Sequence, residues 1–215
     1  MHRWCQDCAV TQARPYAGVD AEDRQARRRA RLLEAGLDLL GRDVDPAELT
    51  VRGICGEAGL ATRYFYENFS DKEQLSGAVF DWMVARLAAT TQAAVAAAPP
   101  EEQNRAGIAN IVRTIESEPR IGRVMFGSQV TNPAVIRKRR ESDAFFAILS
   151  GQHVEALLQR PFSEGIKAFS HFVVGGVTQT LSAWVSGELA LNSAEVVDEL
   201  SAIIDAFSQS RLFAD

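Results

Sequence analysis

Residues 50–69 read TVRGICGEAGLATRYFYENF, a pair of short helices around a glycine turn, and SDKEQL at 70–75 opens another helix. Thr50 is placed to cap the first, because its hydroxyl can accept an N–H that a first helical turn leaves unpaired. Leu49 and Ile54 stand where a hydrophobic staple needs them. Val51, Ile54, Cys55 and Ala58 fall at i, i+3, i+4 and i+7, so this helix has one apolar face. Gly59 follows at the position where a left-handed residue ends a helix and a side chain would be penalised. The second helix is expected to bury Leu60, Phe65 and Phe69 and to present Thr62, Arg63, Tyr64, Tyr66 and Glu67. Ser70-Asp71-Lys72-Glu73 has the form of a capping box. Two short helices at a glycine-containing turn, the second displaying polar and aromatic groups, suit a DNA major groove.

The run GLATRYFYENFSDKEQL at 59–75 resembles the DNA-binding signature of tetracycline-repressor (TetR) type transcriptional regulators. In that family a Gly-apolar-Ser turn leads to an aromatic-rich recognition helix, a Tyr-x-His-Phe end and a Lys-Glu pair that opens the next helix. The resemblance covers residues 27–87. Ala61 stands where the family has a small hydroxyl residue, Asn68 where it has His, and Tyr64-Phe65 where it has Thr-Leu. Without that hydroxyl the second helix loses part of its cap, and Tyr64 brings a large ring to the reading face. The resemblance implies a DNA interface of Thr50, Arg52, Ala61, Thr62, Arg63, Tyr64, Tyr66, Asn68 and Lys72. In it Thr62, Arg63 and Tyr64 lie nearest the bases, Tyr66 and Lys72 hold phosphates, and Thr50 and Arg52 hold the backbone. It further implies a homodimeric repressor, built on a four-helix bundle from the last two helices, that leaves a pseudo-palindromic operator when a small effector binds.

The bulk properties agree with a helical chain. At 215 residues it can hold one mid-sized domain or two small ones, and its few prolines and short β-branched runs favour all-α structure. The net charge of −5 argues at first against nucleic acid. Residues 21–82 carry nine Lys and Arg against twelve Asp and Glu, yet Arg24, Arg27, Arg28, Arg29 and Arg31 are crowded together. DNA affinity follows such a local footprint rather than the total. These arginines could reach along a duplex or form a solvated helix end. No apolar stretch reaches the length of a membrane span, and MHRWCQDCAV lacks a secretory apolar region, so a cytoplasmic location is expected. Cys5 and Cys8 lie in a WCxxC pattern, but neither a βαβ context nor four metal ligands accompanies them. Cys55 reads as a small residue that lets the two motif helices approach.

The expected architecture is all-α, with about nine helices: an arm at 1–20, a helix-turn-helix domain at 21–70, and a ligand-binding and dimerisation domain at 71–215. Helix one is expected at 21–41, with Ala30, Leu33, Leu37 and Leu40 inward. A long helix from 71 stops at Pro99-Pro100, and others follow at 101–117, 119–129, 133–160, 162–191 and 193–212. The helix at 162–191 is apolar almost all round, and the last carries Val196, Val197, Leu200, Ile203, Ile204 and Phe207 on one stripe. An interface helix and an ordinary core helix share that pattern. The resemblance selects the interface and with it Val173, Val177, Trp184, Ile204 and Phe207. Trp82, Met125, Phe126, Phe145, His153, His171 and Phe172 are candidate linings of an apolar effector pocket, His153 and His171 as polar anchors. Arg137 to Arg140 read as a solvated face.

No nucleophile stands beside a base at catalytic spacing, and no phosphate loop or HExxH occurs. The three histidines lack metal-ligand spacing, so neither an enzyme, a cofactor nor a metal is expected. The competing reading is a helical adaptor without a ligand of its own, and an internal cavity would separate the two.

Overall fold

The computed structural model describes residues 16–42, 49–127, 131–158 and 163–208. Among them are nine α-helices: α1 (Tyr16–Leu40), α2 (Val51–Ala58), α3 (Thr62–Tyr66), α4 (Lys72–Ala97), α5 (Gln103–Ser117), α6 (Pro119–Phe126), α7 (Pro133–Leu158), α8 (Glu164–Val185) and α9 (Ser193–Ser208). The expected ends of helices six, seven and nine, the Cys5–Cys8 pair and part of the loop before α2 lie outside the described residues.

Local signals place most boundaries. Thr50 accepts the Gly53 N–H at 3.0 Å, and Gly59 adopts φ 60°, ψ 40°. Ala61 makes no side-chain cap bond, as its missing hydroxyl requires. The box before α4 is shifted by one residue from the expected one. Asp71, not Ser70, is the cap and accepts the Gln74 N–H at 2.7 Å, while Gln74 Oε1 accepts the Ser70 N–H at 2.6 Å. The Asp71 side chain presents a charged acceptor, a stronger cap than a hydroxyl. Asn132 caps α7 and Asn192 forms a reciprocal box with Glu195 at the start of α9. Helix α8 ends earlier than periodicity implied, because Gly187 turns at φ 79° and Trp184 Nε1–H donates to the Leu191 carbonyl at 3.0 Å.

Helix α1 begins at Tyr16, inside the stretch expected to be an arm. Its inner face is Leu32, Leu33, Ala35 and Leu37, with Leu40 half-buried and Ala30 exposed. The face is wider than one stripe because α2 and α4 both pack on it.

Two apolar clusters form the core. One joins α1, α2, α3, α4, α6 and the start of α7, from Leu32 through Phe65 and Phe80 to Val135. Leu75, Val79 and Phe80 of α4 belong to the same core as the helix-turn-helix. The second cluster unites α5, α8 and α9 through Ile108, Val112, Leu181, Val196 and Leu200. No helix among the described residues is long and apolar enough to cross a membrane.

Candidate nucleic-acid interface and internal cavity

Helix α3 is only five residues long and stands on one buried ring. Phe65 is fully buried, and Phe69 packs against it with centroids 5.8 Å apart. With Phe65 inward, Thr62, Arg63 and Tyr66 are exposed and Tyr64 is half-buried. Tyr66 is 60 % exposed, a large ring in water that makes an edge contact to Phe65. Arg52 is exposed at the start of α2 and Lys72 half-exposed at the start of α4.

The α1 arginines hold this surface in place. Arg29 donates to the Asn68 carbonyl at 3.4 Å and stacks over Phe69 at 4.6 Å, and Arg31 donates to the Gly59 carbonyl at 3.3 Å. Arg28 lies over the Tyr64 ring at 4.0 Å and pairs with Glu67 at 3.6 Å. Arg63 stacks near the same ring at 4.5 Å and donates to its hydroxyl, a bond that draws the Tyr64 phenol below its ordinary value. Tyr64 is thus held between two guanidinium groups, and its ring aims Arg63. Of the two outcomes open for the arginine cluster, these three turn back onto the motif instead of standing free. Arg42 likewise pairs with Glu57 at 2.7 Å. Two acids of the motif, Glu57 and Glu67, are thus paired with arginines.

Other motif residues have structural duties. Asn68 Nδ2–H donates to the Tyr64 carbonyl at 2.8 Å and closes α3. Cys55 is buried beside Thr62, and burial raises its thiol above the ordinary value, so it is a packing residue.

A cavity of about 810 Å³ opens between α4, α5, α7 and α8. Phe126, Met125 and His153 line it, as the sequence reading expected. Trp82, Phe145, His171 and Phe172 do not. Trp82 packs on the first core cluster, Phe145 and Phe172 are 43 % and 59 % exposed, and His171 faces solvent. Spacing could not separate them, because α7 and α8 each carry apolar residues on both faces. Sequence reasoning missed Phe80, Leu87, Gln103, Asp143 and Thr178, which also line the cavity. Burial raises the Asp143 carboxyl, against the opposing influence of Thr178 and Arg139. Burial also lowers His153, which is therefore neutral near pH 7.

The cavity is connected to α1 through α6. Arg139 donates to the carbonyls of Val124 at 2.7 Å and Gly127 at 2.8 Å at the α6 end. Arg120 of α6 donates to Asp38 of α1 at 2.7 Å and pairs with Glu34, while Arg123 donates to the Gly41 carbonyl. Gly41 has no room for a side chain: a Cβ there would lie 2.6 Å from that of Arg120.

The residues expected at a dimer interface are placed differently from one another in the single chain. Ile204 is 9 % exposed, Val173 and Val177 face the cavity, and Trp184 is half-buried in the second cluster. Of the five only Phe207 is exposed. The outward stripe of α8 is Phe172, Gly175, Gly176 and Gln179, at i, i+3, i+4 and i+7, continued on α9 by Ile203 and Phe207. Phe172 and Phe207 meet edge to face at 5.2 Å, and a Cβ on Gly175 or Gly176 would touch nothing within 4 Å.

The sequence matches no protein-family model and no curated protein. The fold matches many solved structures. A TetR-family transcriptional regulator from Syntrophomonas wolfei superposes with a TM-score of 0.71 at 13 % identity, over 88 % of this chain and 99 % of that one. The fatty acid degradation regulator FadR from Bacillus halodurans gives 0.70 at 14 % identity, over 86 % and 97 %. A transcriptional regulator from Pseudomonas aeruginosa PAO1 gives 0.65 at 19 % identity, over 89 % and 97 %. Over most of its length this chain has the fold of the TetR-family transcriptional regulators.

Proposed function

We propose that the protein is a homodimeric, sequence-specific DNA-binding transcriptional regulator, a repressor released from its operator by a small, mostly apolar effector. The observation that carries the reading is the reading head itself: a helix of five residues, anchored by one buried Phe65, that presents Thr62, Arg63 and Tyr66 beside Arg52 and Lys72. Arg63, aimed by Tyr64, contacts a base edge together with Thr62. Tyr66 and Lys72 hold phosphates, and so do Arg52 and Thr50, whose hydroxyl still has its hydrogen to donate after accepting from Gly53. Ala61 allows close approach and Asn68 acts through the shape of α3.

Two copies join through the α8–α9 face at Phe172, Gly175, Gly176, Ile203 and Phe207, an apolar stripe that water covers poorly. The two heads then meet half-sites about one helical turn apart. The cavity supports a sensor over an adaptor, because a well-formed pocket of this size suits a drug-sized molecule. An effector in it touches Met125 and Phe126, and α6 carries any shift to α1 through Arg120 and Arg123. To release DNA the effector prefers the non-binding arrangement, with a coupling of about 1–3 kcal/mol.

The test is selection of bound fragments from genomic DNA with the purified protein. A pseudo-palindromic site bound far more tightly than random duplex, with steep salt dependence, is the expected result. Equal binding to random duplex overturns the reading.

A further inference from the structure

The two ends of the cavity differ in chemistry. Helix α7 runs alongside α4 in the same direction, since Asn132 meets Ser76 at 3.4 Å and Lys138 meets Asp81 at 3.0 Å. Both helices rise equally per residue. His153 is as far beyond Lys138 as Ala96 is beyond Asp81, so the two lie level, and both line the cavity. Gln103 sits at this same end, where the chain turns from α4 into α5 and its Nε2–H donates to the Ala98 carbonyl at 3.4 Å. This end is the one farther from the helix-turn-helix.

Two buried polar atoms there, Gln103 Oε1 and His153 Nε2, have no partner among the described residues. A buried polar group without a hydrogen bond costs about as much as a lost bond, and native proteins keep few of them. Gln103 Oε1 can only accept, whereas a neutral imidazole nitrogen accepts or donates according to tautomer. A hydroxyl does both, and so satisfies the pair.

Among the described residues the lining charges lie toward the other end. Arg139 is the one guanidinium among the described lining residues, and it lies next to Lys138, near the opposite end. Its Nε and Nη2 groups donate to the α6 carbonyls, and Asp143 balances its charge. Asp205 is bonded by Asn104 at 2.8 Å and does not line the cavity. Among the described lining residues no cation stands beside Gln103 and His153, and the one carboxylate, Asp143, lies with Arg139 toward the opposite end.

We propose that the effector is an uncharged amphiphile with a hydroxyl head, which donates to Gln103 Oε1 and meets His153 Nε2 while its hydrocarbon body extends toward Leu87, Met125 and Phe126. The assignment rests on the sensor reading above and adds the ligand's chemical class and orientation. It is tested by loading the full-length protein with the neutral fluorescent dye N-phenyl-1-naphthylamine and displacing it with decan-1-ol, decanoate or decylammonium. Decan-1-ol displaces the dye at concentrations at least about 10-fold lower than either ion. Gln103→Leu and His153→Phe each raise the decan-1-ol requirement about 5- to 10-fold, the loss of one hydrogen bond, while still binding the dye. Neither substitution touches the Phe172–Phe207 surface, so dye adsorbed there is unaffected by them. Displacement by decanoate or decylammonium at the same or lower concentration overturns the hydroxyl assignment and leaves the sensor reading standing. Unchanged decan-1-ol binding in both variants does the same. If the dye and all three probes fail to enter, the sensor reading falls and this assignment falls with it.

Discussion

Arg120→Met removes the charged link between α6 and α1 while keeping an unbranched apolar stem. Arg120 is about three-quarters buried, and it donates to Asp38 at 2.7 Å, to Glu118 at 3.2 Å and to Glu34. Hydrogen bonds to charged groups contribute about 1.5–3 kcal/mol when shielded from water. Glu34 and Asp38 are 45 % and 35 % exposed, which screens each pair toward the ~0.5–1 kcal/mol of surface ion pairs. The methylenes of Met still cover Gly41, so little packing is lost. The expected loss is about 1–3 kcal/mol, read as a lower urea midpoint at pH 7 with unchanged slope. A double-mutant cycle with Asp38→Asn is expected to give a coupling of about 0.5–1.5 kcal/mol that shrinks in high salt. Acid adds a signed check. Burial by itself would raise the Glu118 carboxyl, but hydrogen bonds from Arg86 and Arg120 outweigh it and hold the group below its ordinary value. Such a group stabilises the fold above its unfolded pKa, and that contribution is lost as pH falls through the folded value. Wild type is therefore expected to lose more stability between neutral pH and the carboxylate range than Arg120→Met does. A loss under about 0.3 kcal/mol, or no coupling to Asp38 at low salt, would refute the picture of α6 tied to α1 by charge.

On DNA, Lys72→Ala is expected to weaken binding to all sequences and flatten the salt slope, whereas Arg63→Ala relaxes preference at particular base pairs by about 1–3 kcal/mol. Quantitative binding to a randomised operator library checks this, and identical uniform losses for both would show that α3 does not read bases. Gly59→Ala forces a side chain to φ 60° with its Cβ 2.9 Å from Arg31, and is expected to cost about 1–2 kcal/mol in urea unfolding. An unchanged midpoint would remove the left-handed turn from the account. Phe207→Lys is expected to give a folded monomer by sedimentation equilibrium, because Phe207 is exposed in the single chain. Ile204→Lys instead places a charge in the core and is expected to unfold the C-terminal helices. A dimeric Phe207→Lys protein would move the interface elsewhere.

What could be read from the sequence is what forms within a turn or two of helix. Thr50 caps through a bond three residues away, Gly59 turns because of its own missing Cβ, and Phe65 and Phe69 share a face through helical spacing. The all-α class, the helix-turn-helix and most helix starts rest on such short-range causes. Even the shift of the α4 cap from Ser70 to Asp71 stays within them, as a contest between adjacent side chains. The tertiary structure decided what depends on which helix lies beside which. Helices α7 and α8 are apolar on more than one side, so periodicity could not tell the face at Val173 and Val177, turned to a cavity, from the face at Phe172 and Gly176, turned to solvent. Sequence likewise could not predict that Arg29 would brace Asn68 or that Arg120 would reach Asp38, partners 39 and 82 residues apart. An unpartnered Gln103 or His153 exists only once every neighbouring helix is in place, because a missing hydrogen bond is a property of the packed surroundings and not of the residue.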